Sequence, residues 1–310
     1  PGVASPAVHR NFIDDHSMPT IFSVAVARKV SKKEWMSVKA AKDAMDAEWY
    51  KLENLKRPDP NDKGKGCWNI HEVREAADVR AEARRLGITI HIGRIAELCV
   101  EKGSELEWGN ILRKYKGRAV FLGDNVRDEY FDWATFTELG SNPPSMEAAK
   151  ALDALGCVLG YSVKMADAVG AYTQSYLGTK VQTWVQLPRN RWPPEWEGKY
   201  TNPVVPLVLS LYGHPESGGY WEQHCEAAVK KKGWVPIGWE WPSTFWHPVK
   251  KALLVIYVDD FKMAAKAEDQ EQLWAELRQD IQMDLEAPDG RFLGCQHRTF
   301  VASVKNVKEL

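Results

Sequence analysis

The stretch "LLVIYVDDFKMAA" constrains this chain more than any other, because an aliphatic run at 252–258 meets Asp259 and Asp260 before a second apolar run at 261–265. A short continuous apolar run bounded by turn residues reads as a buried strand. Two adjacent carboxylates repel each other, and at the end of a buried strand they must stay hydrated or find a cation. A hairpin that turns at the aspartates meets the first need. A divalent ion meets the second, since Mg²⁺ takes hard oxygen ligands shared among one or two carboxylates, water and substrate phosphate. Asp167, at the end of the strand-like stretch 158–165, supplies a third carboxylate if the two strands are neighbours. Aspartate is also favoured in turns for backbone reasons alone, so the residues by themselves leave a plain turn open. Asp14 and Asp15 in "NFIDDH" belong to no core strand and take no role.

The rest of the chain interleaves helices and strands. Ser31 and Glu34 form a capping-box pattern, and Trp35, Val38, Met45, Trp49 and Leu52 recur at helical spacing, which predicts a helix over 32–56 ended by Pro58 and Pro60. Residues 58–66 have loop composition. Residues 73–86 read as a helix closed by Gly87, and 88–95 as a strand. The segment with Lys114, Lys116 and Arg118 reads as a basic edge strand. Further helices are expected from Ser145 to Leu155, over 217–232 and over 268–285, with an apolar stretch at 203–211. No regular βαβ count appears, so the class is α+β.

The 310 residues carry 41 basic and 42 acidic side chains, so no chain-wide positive field exists and a polyanion must bind through a local patch. With 44% hydrophobic residues the chain can bury a core. Its longest aliphatic run falls far short of the roughly 18 residues of a membrane span, and no export signal opens the sequence. An intracellular protein with no membrane partner is expected. Five widely spread cysteines, at 67, 99, 157, 225 and 295, read as reduced thiols.

Taken together, seven weak motifs in order resemble the reverse transcriptase domain of copia-type retrotransposons, from about Ala40 to His297. "MDAEWYKLENL" is similar to the family's opening helix and "KYKGRAVFLGDNVRDEY" to its basic fingers strand. "YSVKMADAVGAYTQSYL" resembles the first catalytic-aspartate motif and "PVVPLVLSLYGHPESGGYW" the Leu-Tyr-Gly segment. "KKGW" looks like the Gly-aromatic that follows, "VIYVDDF" like the Tyr-x-Asp-Asp hairpin, and "FLG" at 292–294 like the closing Leu-Gly.

The resemblance implies a palm with an antiparallel sheet and a fingers region. It divides the chain into an N-terminal extension (1–30), a fingers-like region (31–150), a palm-like catalytic region (151–297) and a tail (298–310). The chain is then expected to be a piece of a polyprotein, cut before the connection and ribonuclease H. The implied activity is RNA-directed DNA polymerisation from dNTPs on an RNA or DNA template with primer, in the cytoplasm, within a virus-like particle, or in the nucleus. Asp167, Asp259 and Asp260 would be catalytic and hold two Mg²⁺ ions, with Mn²⁺ as a substitute. Lys116, Arg118, Tyr172, Tyr212 and Gly213 would surround the nucleotide, Tyr172 lying under its sugar. Two metals can activate the primer 3′-hydroxyl and offset charge on the transferring phosphoryl group. The chain departs from the family at Glu216, where a glutamine is usual. The alternative is a catalytically inactive, retroelement-derived domain that binds nucleic acid or protein.

Overall fold

The computed structural model describes residues 27–136, 142–288 and 290–297. In chain order it runs β1 (Ala27–Val30), α1 (Lys32–Ser37), α2 (Lys39–Asn54), β2 (Arg74–Glu75), α3 (Ala76–Leu86), β3 (Ile90–Lys102), β4 (Lys114–Phe121) and α4 (Met146–Gly156). It continues with β5 (Tyr161–Asp167), β6 (Gln182–Gln186), β7 (Pro203–Pro206), α5 (Ser217–Lys231), β8 (Val235–Pro236) and β9 (Thr244–His247). Then come β10 (Ala252–Tyr257), β11 (Asp260–Lys266), α6 (Gln270–Leu277), β12 (Gly290–Phe292) and β13 (Cys295–His297). The class is α+β. A first sheet has the order β1-β3-β6-β7-β2 with β4 added on β3, and a second has the order β5-β11-β10-β9-β8. Pairing is antiparallel except between β3 and β6.

The second sheet explains the aliphatic run. Ala252, Leu254 and Ile256 of β10, with Phe261, Met263 and Ala265 of β11, join a core with Trp221, Cys225 and Val229 of α5 and Leu273, Trp274 and Leu277 of α6. The alternate residues Leu253, Val255 and Ala264 pack with Ala148, Ala149 and Leu152 of α4. A sheet covered by helices on both faces needs apolar residues at every position rather than every second one. Each buried Leu, Ile or Phe contributes about 1.5–3 kcal/mol. Lys262 lies on the α4 side, wholly buried, with its Nζ 2.5 Å from Asp153 Oδ1.

Several expectations need correction. Residues 27–30 are strand β1, paired with Cys99 to Lys102 of β3, and not part of an extension. Residues 1–26 and 298–310 lie outside the described residues. The expected division at residue 150 is crossed, because β6 and β7 join the first sheet while α4 packs on the second. The single helix expected over 32–56 is two helices separated by Val38 in an extended conformation. Ser31 caps the first through its Oγ, which accepts the Glu34 N–H at 3.2 Å, but the Glu34 carboxylate is drawn to Arg28. The helix expected over 268–285 ends at Leu277. Ile281 is still buried, whereas Leu285 is exposed, so the apolar spacing outran the helix. Gly87 closes α3 in the left-handed region, and the cysteines are free thiols, both as expected.

Candidate active site

Two backbone facts bring the acidic residues together. Asp167 ends β5 directly opposite Asp260, the first residue of β11. Opposed residues of an antiparallel pair lie about 4.5–5.5 Å apart at Cα. Tyr257 and Asp260 in turn close the β10–β11 hairpin, leaving Val258 and Asp259 as its two-residue turn. Val258 has φ +54°, an unfavourable region for a β-branched residue. The turn is held from both sides: Trp221 Nε1 donates to Val258 O at 2.7 Å, and the Ala168 N–H donates to Asp259 O at 2.6 Å. The sequence separation of about ninety positions is thus closed by main-chain contacts.

Asp167 and Asp259 line one cleft of about 280 Å³ together with Glu48, Lys51, Lys116, Arg118, Tyr212 and Asp284. The cleft carries a charge conflict. Burial, then the Asp259 and Asp284 carboxylates, raise the Asp167 pKa. Burial, then Asp259 and Asp167, push Asp260 up to about 6. Among the cations of the cleft, burial and the neighbouring Arg118 lower the Lys116 pKa, although Asp259 acts the other way. Arg118 lies over the Tyr212 ring, 5.2 Å from its centroid, and its Nη1 is 3.7 Å from Glu48 Oε1.

Carboxylate oxygens are the hard donors that a cation of the Mg²⁺ type takes. Among the described residues no group of three His, Cys, Asp or Glu side chains forms a ready-made ligand set. An ion here would be held by Asp167 and Asp259, with Asp260 behind them, and would fill its shell with water and phosphate oxygens, as Mg²⁺ commonly does.

The other nucleotide-site expectations divide. Tyr212 lines the acidic cleft; Tyr172 does not. The Tyr172 ring meets that of Tyr212 edge-on at 4.7 Å and borders a separate apolar cavity of about 260 Å³ with Tyr257 and Val258. Gly213 is required by the fold: it has φ +87°, and a Cβ there would lie 2.1 Å from Phe121 O. Its close approach is to the end of β4. Glu216 is buried at the start of α5, where its N–H donates to His214 Nδ1 at 3.2 Å, and it is not among the cleft residues. Trp184, Trp196 and Trp234 are core, and none of the tryptophans borders the cleft.

Three charged cleft residues escaped the sequence reading. Glu48 had a readable signal, a carboxylate between Met45 and Leu52 on the buried stripe of α2. Lys51, three residues on, follows from the same helix face. Asp284 had none: its place depends on its N–H donating to Asp167 O at 2.9 Å, a contact across more than a hundred residues. Among the described residues no helix is long and apolar enough to cross a membrane. No protein-family model matches this chain, and a comparison with curated proteins finds no match.

Proposed function

We propose that this chain is a reverse transcriptase domain of the copia type, extending a primer on an RNA or DNA template with dNTPs. The second sheet with α4, α5 and α6 would be its palm and the first sheet its fingers. One observation carries the reading: Asp167 lies in register with Asp260, beside the turn residue Asp259, and lines a single cleft with Asp259, Lys116 and Arg118. Carboxylates and cations in one cleft are what a triphosphate with its metal ions needs. Asp167 and Asp259 would hold Mg²⁺, or Mn²⁺, and Asp260 would add negative charge behind them. Bound there, the ions would supply Lewis acidity at the phosphoryl oxygens and lower the pKa of the attacking hydroxyl. Arg118, kept in place by Tyr212, would give its planar fork to phosphate oxygens, and Lys116 a point charge. Tyr172, behind Tyr212, would border the sugar.

The test is primer extension on poly-rA with dTTP and Mg²⁺ or Mn²⁺. Wild-type protein is expected to extend, and Asp259→Asn to lose roughly 10²–10³-fold or more, the scale on which losing one group that stabilises transition-state charge is felt. Folding should be little changed, because removing one of several crowded carboxylates relieves repulsion. Wild-type rates in the variant would end the assignment. The second reading, an inactive relic that binds nucleic acid or protein, draws on the Glu48 carboxylate beside Arg118, which occupies a cation the triphosphate would need. It expects no extension by the wild-type protein under any of these conditions.

A further inference from the structure

Residues 58–66 fold back onto the end of α2 and enclose a second charged cavity. The fold-back is pinned: Lys56 and Lys65 form an antiparallel bridge, the Gly66 N–H donates to Leu55 O at 2.8 Å, and the Cys67 N–H donates to Leu52 O at 2.7 Å. Gly66, at φ +80°, has room only for hydrogen, since a Cβ would lie 2.7 Å from Glu53 O. The enclosed cavity measures about 610 Å³ and is lined in part by Asn54, Arg57, Lys63, Lys65, Asn69 and His71.

Arg57 is the unexplained group. Its side chain is 3% exposed. Nη2 donates to Lys65 O at 3.3 Å, while Nε and Nη1 have no hydrogen-bond partner. The guanidinium carries five donors and no acceptor, and buried donors are ordinarily paired. The nearest carboxylate oxygen paired with it, Asp62 Oδ2, is 4.0 Å from Nε. Asp62 is also engaged by the Gly64 N–H and the Tyr176 hydroxyl, and Glu53, the other carboxylate of the cavity, by Trp49 Nε1. Lys63 and Lys65 donate to neutral oxygens, Pro60 O at 2.9 Å and Asn54 Oδ1 at 3.3 Å. Three cations therefore face two carboxylates that are already hydrogen-bonded. A Cβ on Gly64 would lie 3.4 Å from Arg57 Nε, so glycine there puts no side chain against the guanidinium.

We propose that the Arg57 cavity is a second anion site, which takes a phosphate group. An arginine fork matches phosphate oxygens two at a time, and the lysines add point charges at the rim. The cavity shares no lining residue with the acidic cleft, so the proposal does not rest on the polymerase reading. The phosphate has two sources, a phosphodiester of a nucleic-acid strand or a free phosphate such as that of a mononucleotide.

Thermal melting in inorganic phosphate against chloride at matched ionic strength reads the site directly. Anisotropy of a labelled (dT)₁₂ strand reads the first source. Phosphate is expected to raise the wild-type melting temperature. The double variant Lys63→Gln/Lys65→Gln, which alters exposed side chains, is expected to weaken phosphate binding about fivefold or more, and Arg57→Gln to abolish it. A parallel loss of (dT)₁₂ binding identifies a strand as the source; a loss confined to inorganic phosphate identifies a free phosphate. Unchanged phosphate and (dT)₁₂ binding in the double variant overturns the proposal, even if Arg57→Gln does not fold. Asp259→Asn should leave phosphate binding intact, so failure of one reading is separable from failure of the other.

Discussion

Glu101 in the first sheet and Asp260 in the second are both acidic residues on interior strands, yet their surroundings treat the charge in opposite ways. The Glu101 side chain is 2% exposed and fully engaged. Oε1 accepts from Arg113 Nε at 3.0 Å and Nη2 at 2.6 Å, and Oε2 accepts from Arg28 Nε at 3.1 Å and Nη2 at 2.8 Å. Burial alone would raise its pKa, but the hydrogen bonds from Arg113 and Arg28 outweigh burial and hold it low. For Asp260, burial and two further carboxylates all act in one direction, upward. The first arrangement closes its charge within the protein. The second leaves negative charge outstanding next to Asp167 and Asp259, which line the cleft.

The largest expected effect tests the closed side. Glu101→Ala leaves Arg113, 12% exposed, without its carboxylate, while Arg28, 42% exposed, keeps Glu34, so the loss is expected near the low end of the cost of a broken buried pair, about 3–5 kcal/mol. Urea denaturation measures it. A loss below about 1 kcal/mol would mean that the network is only a surface feature and that the contrast with Asp260 fails.

The next effect has the opposite sign. A carboxyl whose pKa is higher in the folded than in the unfolded state binds more protons when folded, so stability falls as pH rises between about 4 and 6. Below that window both states are protonated, and above it the penalty is complete. In metal-free buffer Asp260→Asn is expected to flatten that slope, leaving the part that Asp167 contributes. At pH 7 it should stabilise the protein by about 1 kcal/mol, once solvent screening of this partly exposed group is allowed for. Melting temperatures across pH 4–7 check this, and a variant less stable than wild type at pH 7 would show that a contact of the Asp260 carboxylate outweighs the repulsion.

What the sequence disclosed and what it concealed follow the same division between local and non-local causes. The hairpin at Asp259 was legible because an aliphatic run with two carboxylates has few other solutions, and the Ser31, Ser145 and Gly87 helix ends were legible because caps act within four residues. Val38 breaking the first helix was not, since Trp35, Val38 and Met45 keep helical spacing in the sequence and the break shows only in their shared packing with Val30 and Cys99 of the first sheet. The contact that requires glycine at 213 was hidden for a related reason, since its partner, Phe121, ends a strand of the first sheet. Asp284 reaches the cleft through one tertiary hydrogen bond, and Arg57 is conspicuous only once its unpaired donors are visible.

The smallest effect concerns the turn that carries Asp259. Val258 holds φ +54° at the first position of a two-residue hairpin turn, a place that favours glycine. The left-handed region costs a non-glycine residue about 1–2 kcal/mol, and glycine returns about 0.5–1 kcal/mol of that through the greater freedom of its unfolded chain. Val258→Gly is therefore expected to raise stability by up to about 1 kcal/mol, measured by urea denaturation with an unchanged slope. The bonds from Trp221 Nε1 and the Ala168 N–H run to main-chain oxygens and survive the substitution. If strain held by those two bonds is what aims the Asp259 carboxylate into the cleft, the more stable variant should extend primers more slowly. That would be a trade absent at Glu101, where structure and charge are satisfied together. A variant less stable than wild type would instead make Val258 a packing residue of the neighbouring apolar cavity, and the turn would then be held by its side chain rather than by its backbone.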